Sequence, residues 1–258
     1  MTHHRLARWF ACGLVTVSLF TLTGRVHAVD GVIEINQARA DKGGITPGDA
    51  PGLPITISTG VSGTDPMSFR LTGPLATGSG DNVIEIQSPH VTVDLNGFAI
   101  TCGTPPCGGN AIDSSSNNIT VRNGTVRGFA IGVNLTGSGA LVEDVRAIGN
   151  TTGLSVGDNC LVRNNVATAN GSQGIVVQNG CTVSGNTSND NGSDGICTHV
   201  GCNVIGNTVR GNTGAGLNLS GNTGYSQNVI STINQIGSTV LNGVPTGSNL
   251  CNGNTTCP

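Results

Sequence analysis

Val183 to Thr198 reads VSGNTSNDNGSDGICT, and the chain on either side repeats its plan. Valines recur at Val121, Val142, Val162, Val183 and Val204, spaced by 21, 20, 21 and 21 residues. Eight residues after four of them stands an asparagine: Asn150, Asn170, Asn191 and Asn212. A glycine followed by a branched aliphatic comes next, as Gly153-Leu154, Gly174-Ile175, Gly195-Ile196 and Gly216-Leu217, with Gly132-Val133 one repeat earlier. Two residues further on, Leu135, Val156, Val177, Thr198 and Leu219 form another column. A period in the twenties marks a solenoid. Helical repeats are disfavoured because each unit is rich in Gly and Asn, and Gly is costly inside a helix. The apolar residues alternate over short runs, as half-buried strands do. A 21-residue unit with three such runs and three tight corners makes one coil of a parallel β-helix. Corner asparagines then stack, each amide bonding the next and satisfying polar groups that the corner buries.

These Asn/Gly repeats resemble the right-handed parallel β-helix families, the pectate-lyase-like folds, over most of the chain. The resemblance implies a fold and says little of function. The expected architecture is all-β: a single right-handed parallel β-helix solenoid of about seven coils of 20–21 residues, with an N-terminal cap. Residues 1–28 read as a signal peptide, 29–53 as the cap segment and 54–258 as the β-helix. Val32 to Ala40 reads as a strand and a short helix covering the open first coil. At roughly 4.8 Å per layer the shaft is about 35 Å long.

Arg5 and Arg8, the apolar run Trp9 to Thr23, and the small-residue site Val26-His27-Ala28 form the secretory signal, with cleavage near Val29. Localisation is therefore expected to be secreted, periplasmic or at the cell surface. Removal of Arg5, Arg8 and Arg25 leaves eight basic against 14 acidic residues, a formal net charge of −6. Nucleic acid and membrane insertion are excluded as expectations, since there is no basic patch and no later segment fit to cross a bilayer. The mature chain holds one tyrosine, Tyr225, three phenylalanines and no tryptophan, so flat platforms for sugar rings are scarce. Cys102 and Cys107 bracket a Pro-rich loop, and Cys251 and Cys257 bracket CNGNTTC; both pairs are expected disulfides in an oxidising compartment. Cys160, Cys181 and Cys202 share one corner of successive coils, as buried thiols or as a pair between layers.

Alternation assigns the outward positions. On the strand with the Gly-aliphatic pair they are Glu85, Asp113, Asn134, Ser155, Val176, Cys197 and Asn218, then Gln87, Ser115, Thr136, Gly157, Gln178, His199 and Ser220. Enzymes that the repeats resemble often line a polysaccharide groove with this face. Glu85 and Asp113 on adjacent coils are the candidate catalytic residues, a pair suited to a hard cation such as calcium or to acid–base work. The bland reading is two solvated acids on an open face. The loop between Cys102 and Cys107 is expected to wall a cleft beside them. Gln178 and His199 are candidate binding residues on the same face. A second face carries Asp94, Arg122, Glu143 and Arg163 with alternating sign, which reads as an ion-pair ladder; Arg122 and Arg163 double as candidate contacts to acidic sugars. Cys197, His199 and Cys202 in C-T-H-V-G-C raise a zinc or copper site, weighed against structural use of the thiols.

The resemblance supplies no catalytic residue. The paired aspartates and Gly-His-Gly of polygalacturonases are missing, as is the Asp-Pro-His-Glu of alginate epimerases, where Ser88-Pro89-His90-Val91 stands instead. The expected function is an exported structural or binding protein, with no turnover and no cofactor, facing a polysaccharide or a cell-surface component. The alternative is a polysaccharide-active lyase, hydrolase or epimerase, with calcium as its cofactor. Metal handling in the periplasm is the third class.

Overall fold

The computed structural model describes residues 31–58, 67–78, 80–231, 239–255 and 257. The apolar leader and its cleavage site lie outside the described residues. The chain winds as a parallel β-helix with three ladders. Ladder 1 holds nine described strands, Ile55–Ile57, Ile84–Ile86, Asn110–Ser114, Ile131–Leu135, Thr152–Val156, Ile175–Val177, Ile196–Thr198, Leu217–Leu219 and Val240–Leu241. Ladder 2 starts at Val32–Ile35, Met67–Leu71 and Val91–Asp94; ladder 3 starts at Leu75–Thr77 and Ala99–Cys102. Two eight-residue strands, Thr120–Arg127 and Leu141–Ile148, run through both and join ladders 2 and 3 into one sheet. The shaft makes about eight turns, one more than the repeat spacing suggests, because the divergent end coils also supply rungs.

Valine, isoleucine and leucine fill the interior in columns: Val121, Val142, Val162, Val183 and Val204 are all fully buried and in register. β-Branched side chains suit this stack because each packs on its twin one layer away. Each such burial stabilises by roughly 1.5–3 kcal/mol.

Three columns of left-handed backbone turn the corners. Between ladders 1 and 2 they are Asn118, Gly139, Asn159, Gly180, Gly201 and Asn222. Between ladders 2 and 3 a single residue bends the chain: Asn123, Asp144, Asn164, Gly185, Gly206 and Gln227. Between ladders 3 and 1 they are Gly128, Gly149, Ala169, Asp190 and Gly211. Gly, Asn and Asp dominate since other residues pay a steric cost at positive φ.

The expected asparagine stack is present. Asn150 Nδ2 donates to Asn170 Oδ1 at 3.2 Å, Asn170 to Asn191 at 2.9 Å, and Asn191 to Asn212 at 2.9 Å, all buried. It explains the glycine of the Gly-aliphatic pair. A Cβ on Gly153 would stand 2.9 Å from Asn170 Nδ2, and one on Gly195 would stand 2.6 Å from Asn212 Nδ2. A second stack, not anticipated, follows the bend between ladders 2 and 3: Asn165, Asn186, Asn207, Asn228 and Asn249, linked at 3.0 Å per step.

Both ends are covered. Val32–Ile35 is itself a rung, parallel to Met67–Leu71, and Asn36 caps the short helix Gln37–Ala40. Asp49 accepts from Thr56 N at 2.9 Å, Thr46 Oγ1 accepts from Ser58 N at 3.1 Å, and Gln37 Oε1 accepts from Ala76 N at 3.0 Å. These side chains occupy the edge that a first rung leaves unpaired. At the other end the chain reverses at Asn252 and Gly253, Cys251 and Asn254 exchange backbone hydrogen bonds, and the Cys251–Cys257 disulfide closes the hairpin.

Candidate functional site

Alternation places the outward column of ladder 1 as expected. Thr56, Glu85, Asp113, Asn134, Ser155, Val176, Cys197 and Asn218 are consecutive register partners, all partly exposed. Glu85 and Asp113 are direct partners one rung apart. Asp113 Oδ1 accepts from Asn110 Nδ2 at 2.7 Å and from Asn134 Nδ2 at 2.8 Å. Asn110 is fixed in turn, its own Oδ1 accepting from Ile131 N at 3.1 Å. The carboxylate is thereby held by one amide on its own strand and one on the next coil. Further along, Asp194 accepts from Ala215 N at 2.7 Å and from Asn218 Nδ2 at 2.9 Å. Burial, and then the charge of Asp194, push the Cys197 thiol up. Sequence reasoning passed over Asn110 and Asp194; the one signal was the Asn110 to Asp113 spacing of three on a single strand. Gln178 and His199 lie on successive coils just beyond the strand ends, Gln178 half-buried and His199 exposed.

The charged column on ladder 2 is longer than its sequence trace. Glu34, Arg70, Asp94, Arg122, Glu143 and Arg163 are consecutive register partners with strictly alternating sign. Arg122 reaches Asp94 at 3.2 Å and Arg163 reaches Glu143 at 2.6 Å. Both guanidiniums are engaged by carboxylates, so a sugar acid at Arg122 or Arg163 would compete with an internal partner. The arginine side chains are 44% and 46% exposed, which limits each pair to about 1 kcal/mol or less.

The Cys102–Cys107 loop is closed by its disulfide. Cys107 N donates to Gly128 O at 2.8 Å, which ties the loop to the corner between ladders 3 and 1. Pro105 and Pro106 there border a shallow depression of about 290 Å³, with Gly149, Asn150, Thr151, Ala169 and Gly171 on its other sides. Glu85 and Asp113 do not line it. The disulfide ring packs its prolines on the glycine-bearing turn. Cys102 Cβ and Pro105 Cβ would each stand 3.2 Å from a Cβ on Gly128.

The sulfur of Cys197 sits on the outward column, whereas Cys202 is 3% exposed at the corner between ladders 1 and 2. C-T-H-V-G-C therefore straddles the wall and its two thiols do not converge. Among the described residues no three of His, Cys, Asp or Glu are grouped to hold a metal ion. Cys160 and Cys181, whose pairing the sequence left open, are bonded to each other.

The chain belongs to the right-handed β-helix family, whose right-handed β-helix region matches residues 73–236. Among solved structures it is similar to the Dettilon tailspike protein, at 14% identity and a TM-score of 0.60, over 69% of this chain and 42% of that one. It is also similar to the A-module of the Azotobacter vinelandii mannuronan C-5 epimerase AlgE4, at 13% identity and a TM-score of 0.49, over 69% and 63% of the two chains. A mutant of the periplasmic alginate epimerase AlgG aligns at 15% identity and a TM-score of 0.45, over 72% and 59%. The chain spans less than two thirds of each of these proteins, and identities this low speak to fold alone. Comparison with curated protein sequences finds no match.

Proposed function

We propose that this is an exported binding protein that receives a polysaccharide or another cell-surface component along the outward face of ladder 1. The observation that carries the reading is the bracing of Asp113 by Asn110 and Asn134. A carboxylate oriented by two amides is a preset acceptor for sugar hydroxyls. Glu85 one rung away and Ser155 two rungs beyond extend the same polar track at about 4.8 Å per step. Gln178 and His199 lie beside its far end. Ladder 2 is the poorer candidate because its charges are paired with each other. The three disulfides suggest an extracytoplasmic protein, which fits a surface ligand.

Glu85 and Asp113 as direct register partners also favour a second reading, calcium-assisted turnover of an acidic glycan. One set of titrations separates the two. Neutral and uronic-acid polysaccharides are titrated into the full chain, with and without calcium, while products are followed. Binding without product formation, about tenfold weaker in Asp113→Asn and unchanged in Glu143→Gln, is expected. Product formation that needs calcium and Asp113 moves the assignment to the second reading. Equal loss in both variants, or no binding to any glycan, removes the ladder 1 site.

A further inference from the structure

We propose that the buried cysteine column is an internal thiol–disulfide exchange site, in which the Cys160–Cys181 bond and a Cys181–Cys202 bond interconvert. Cys160, Cys181 and Cys202 occupy the same corner of three successive coils, 21 residues apart. Each backbone amide points at the next side chain down the shaft. Cys160 N donates to Cys181 Sγ at 3.2 Å, Cys181 N to Cys202 Sγ at 3.4 Å, and Cys202 N to Thr223 Oγ1 at 3.3 Å. Thr223 ends the file with a hydroxyl in place of a thiol.

The two candidate bonds have the same surroundings. Leu161 and Val162 pair with Thr182 and Val183 beside the first, and Thr182 and Val183 pair with Asn203 and Val204 beside the second. Cys160 and Cys181 are 4.6 Å apart at Cα, within the span a disulfide bridges, and one further rung repeats that offset. Register stacks the three cysteines one rung apart in a file along the shaft axis, and the amide-to-sulfur hydrogen bonds run down that file. Exchange needs the attacking, central and leaving sulfurs in such a line, since the new bond forms opposite the one that breaks.

The step balances without an oxidant. The Cys202 thiol gives up its proton and its thiolate attacks Cys181 Sγ. The Cys181–Cys160 bond breaks, and Cys160 leaves as a thiolate that takes up a proton. One disulfide and one thiol are present before and after, and the staple has moved one coil along the shaft. Cys197 takes no part, as it faces outward on ladder 1. Exchange is slow, on the minutes-to-hours scale of uncatalysed disulfide rearrangement, because Cys202 is buried and its thiol donates to Gln178 O at 3.0 Å.

In a Cys197→Ser background, which leaves only Cys181 and Cys202 on peptide 164–210, trypsin separates the two linkages, since cleavage at Arg146, Arg163 and Arg210 puts Cys160 on residues 147–163. The full oxidised chain is held under native conditions, its thiols are blocked with N-ethylmaleimide in denaturant, and the digest is weighed without reduction. Two products are expected, in amounts within about tenfold of each other. One is the cross-linked pair of peptides; the other is 164–210 with an internal disulfide beside 147–163 carrying the maleimide. Cys202→Ser should give the cross-linked pair alone. Cys160→Ser, refolded with oxidised glutathione, should give the internal disulfide. A parent chain that yields only the cross-linked pair, or Cys160→Ser that carries maleimide at both Cys181 and Cys202, overturns the proposal.

Discussion

Replacing Asn191 with leucine tests the asparagine stack at its centre. The side chain is 1% exposed. Its Nδ2 donates to Asn212 Oδ1 at 2.9 Å and to Ala167 O and Ser188 Oγ at 3.2 Å each. Its Oδ1 accepts from Asn170 N at 3.1 Å and from Asn170 Nδ2 at 2.9 Å. Leucine matches the volume and removes every one of these bonds. Asn170 Nδ2 keeps Ala147 O and Ser188 Oγ keeps Gly195 O. Asn170 N–H then loses the partner seen here, at about 1–3 kcal/mol for a buried group left unmade, whereas Asn212 Oδ1 keeps the backbone N–H of residue 191 at 3.0 Å. Gly174 is pressed as well, because a carbon there would already stand 2.6 Å from Asn191 Nδ2. The expected cost is on the order of 2–3 kcal/mol, one buried donor left unmade plus the lost side-chain bonds, a sizeable share of a typical stability of about 5–15 kcal/mol. Urea unfolding followed by circular dichroism measures it, with the slope compared between variants because solenoids can unfold in parts. A loss below about 1 kcal/mol at unchanged slope would refute the reasoning that these amides satisfy one another.

Two further substitutions probe the corners. Gly195→Ala brings a methyl to 2.5 Å from Val209 Cγ1 and 2.7 Å from Gly216 O, and is expected to lower stability by about 2–3 kcal/mol in the same assay; a neutral result would show that the corner is loosely packed. Ala169→Gly relieves an exposed alanine held at a φ of 54° and is expected to raise stability by about 0.5–1 kcal/mol; a loss there would mean that this turn is not left-handed in solution.

The repeat made the shaft legible because inward positions recur at the same phase of each coil, and stacked like side chains leave a period in the sequence. Val183, Asn191 and Gly195 each sit at a fixed phase of that period. Asn186 has the same phase regularity yet was passed over, since Gly185-Asn186 reads as a turn, and the turn-forming and the buried amide roles share a residue type. The charged column was read from Asp94 onward; Glu34 and Arg70 escaped because irregular first coils break the phase. Contacts around the candidate site were harder. Asn134 reaches Asp113 across a rung, and the prolines of the 102–107 loop settle against Gly128, and neither is encoded by spacing.

The alternating charges of ladder 2 give the shaft a parity. Deleting the coil that carries Asp94 would set Arg70 against Arg122, and duplicating it would set a carboxylate against its own copy. Like charges on facing strand positions are unfavourable. From Glu34 to Arg163 the chain can therefore lengthen or shorten without conflict only by two coils at a time. Beyond Arg163 the same column runs Ser184, Ile205 and Ser226, and there a single coil can be added or lost. One solenoid thus carries two different quanta of growth along its length.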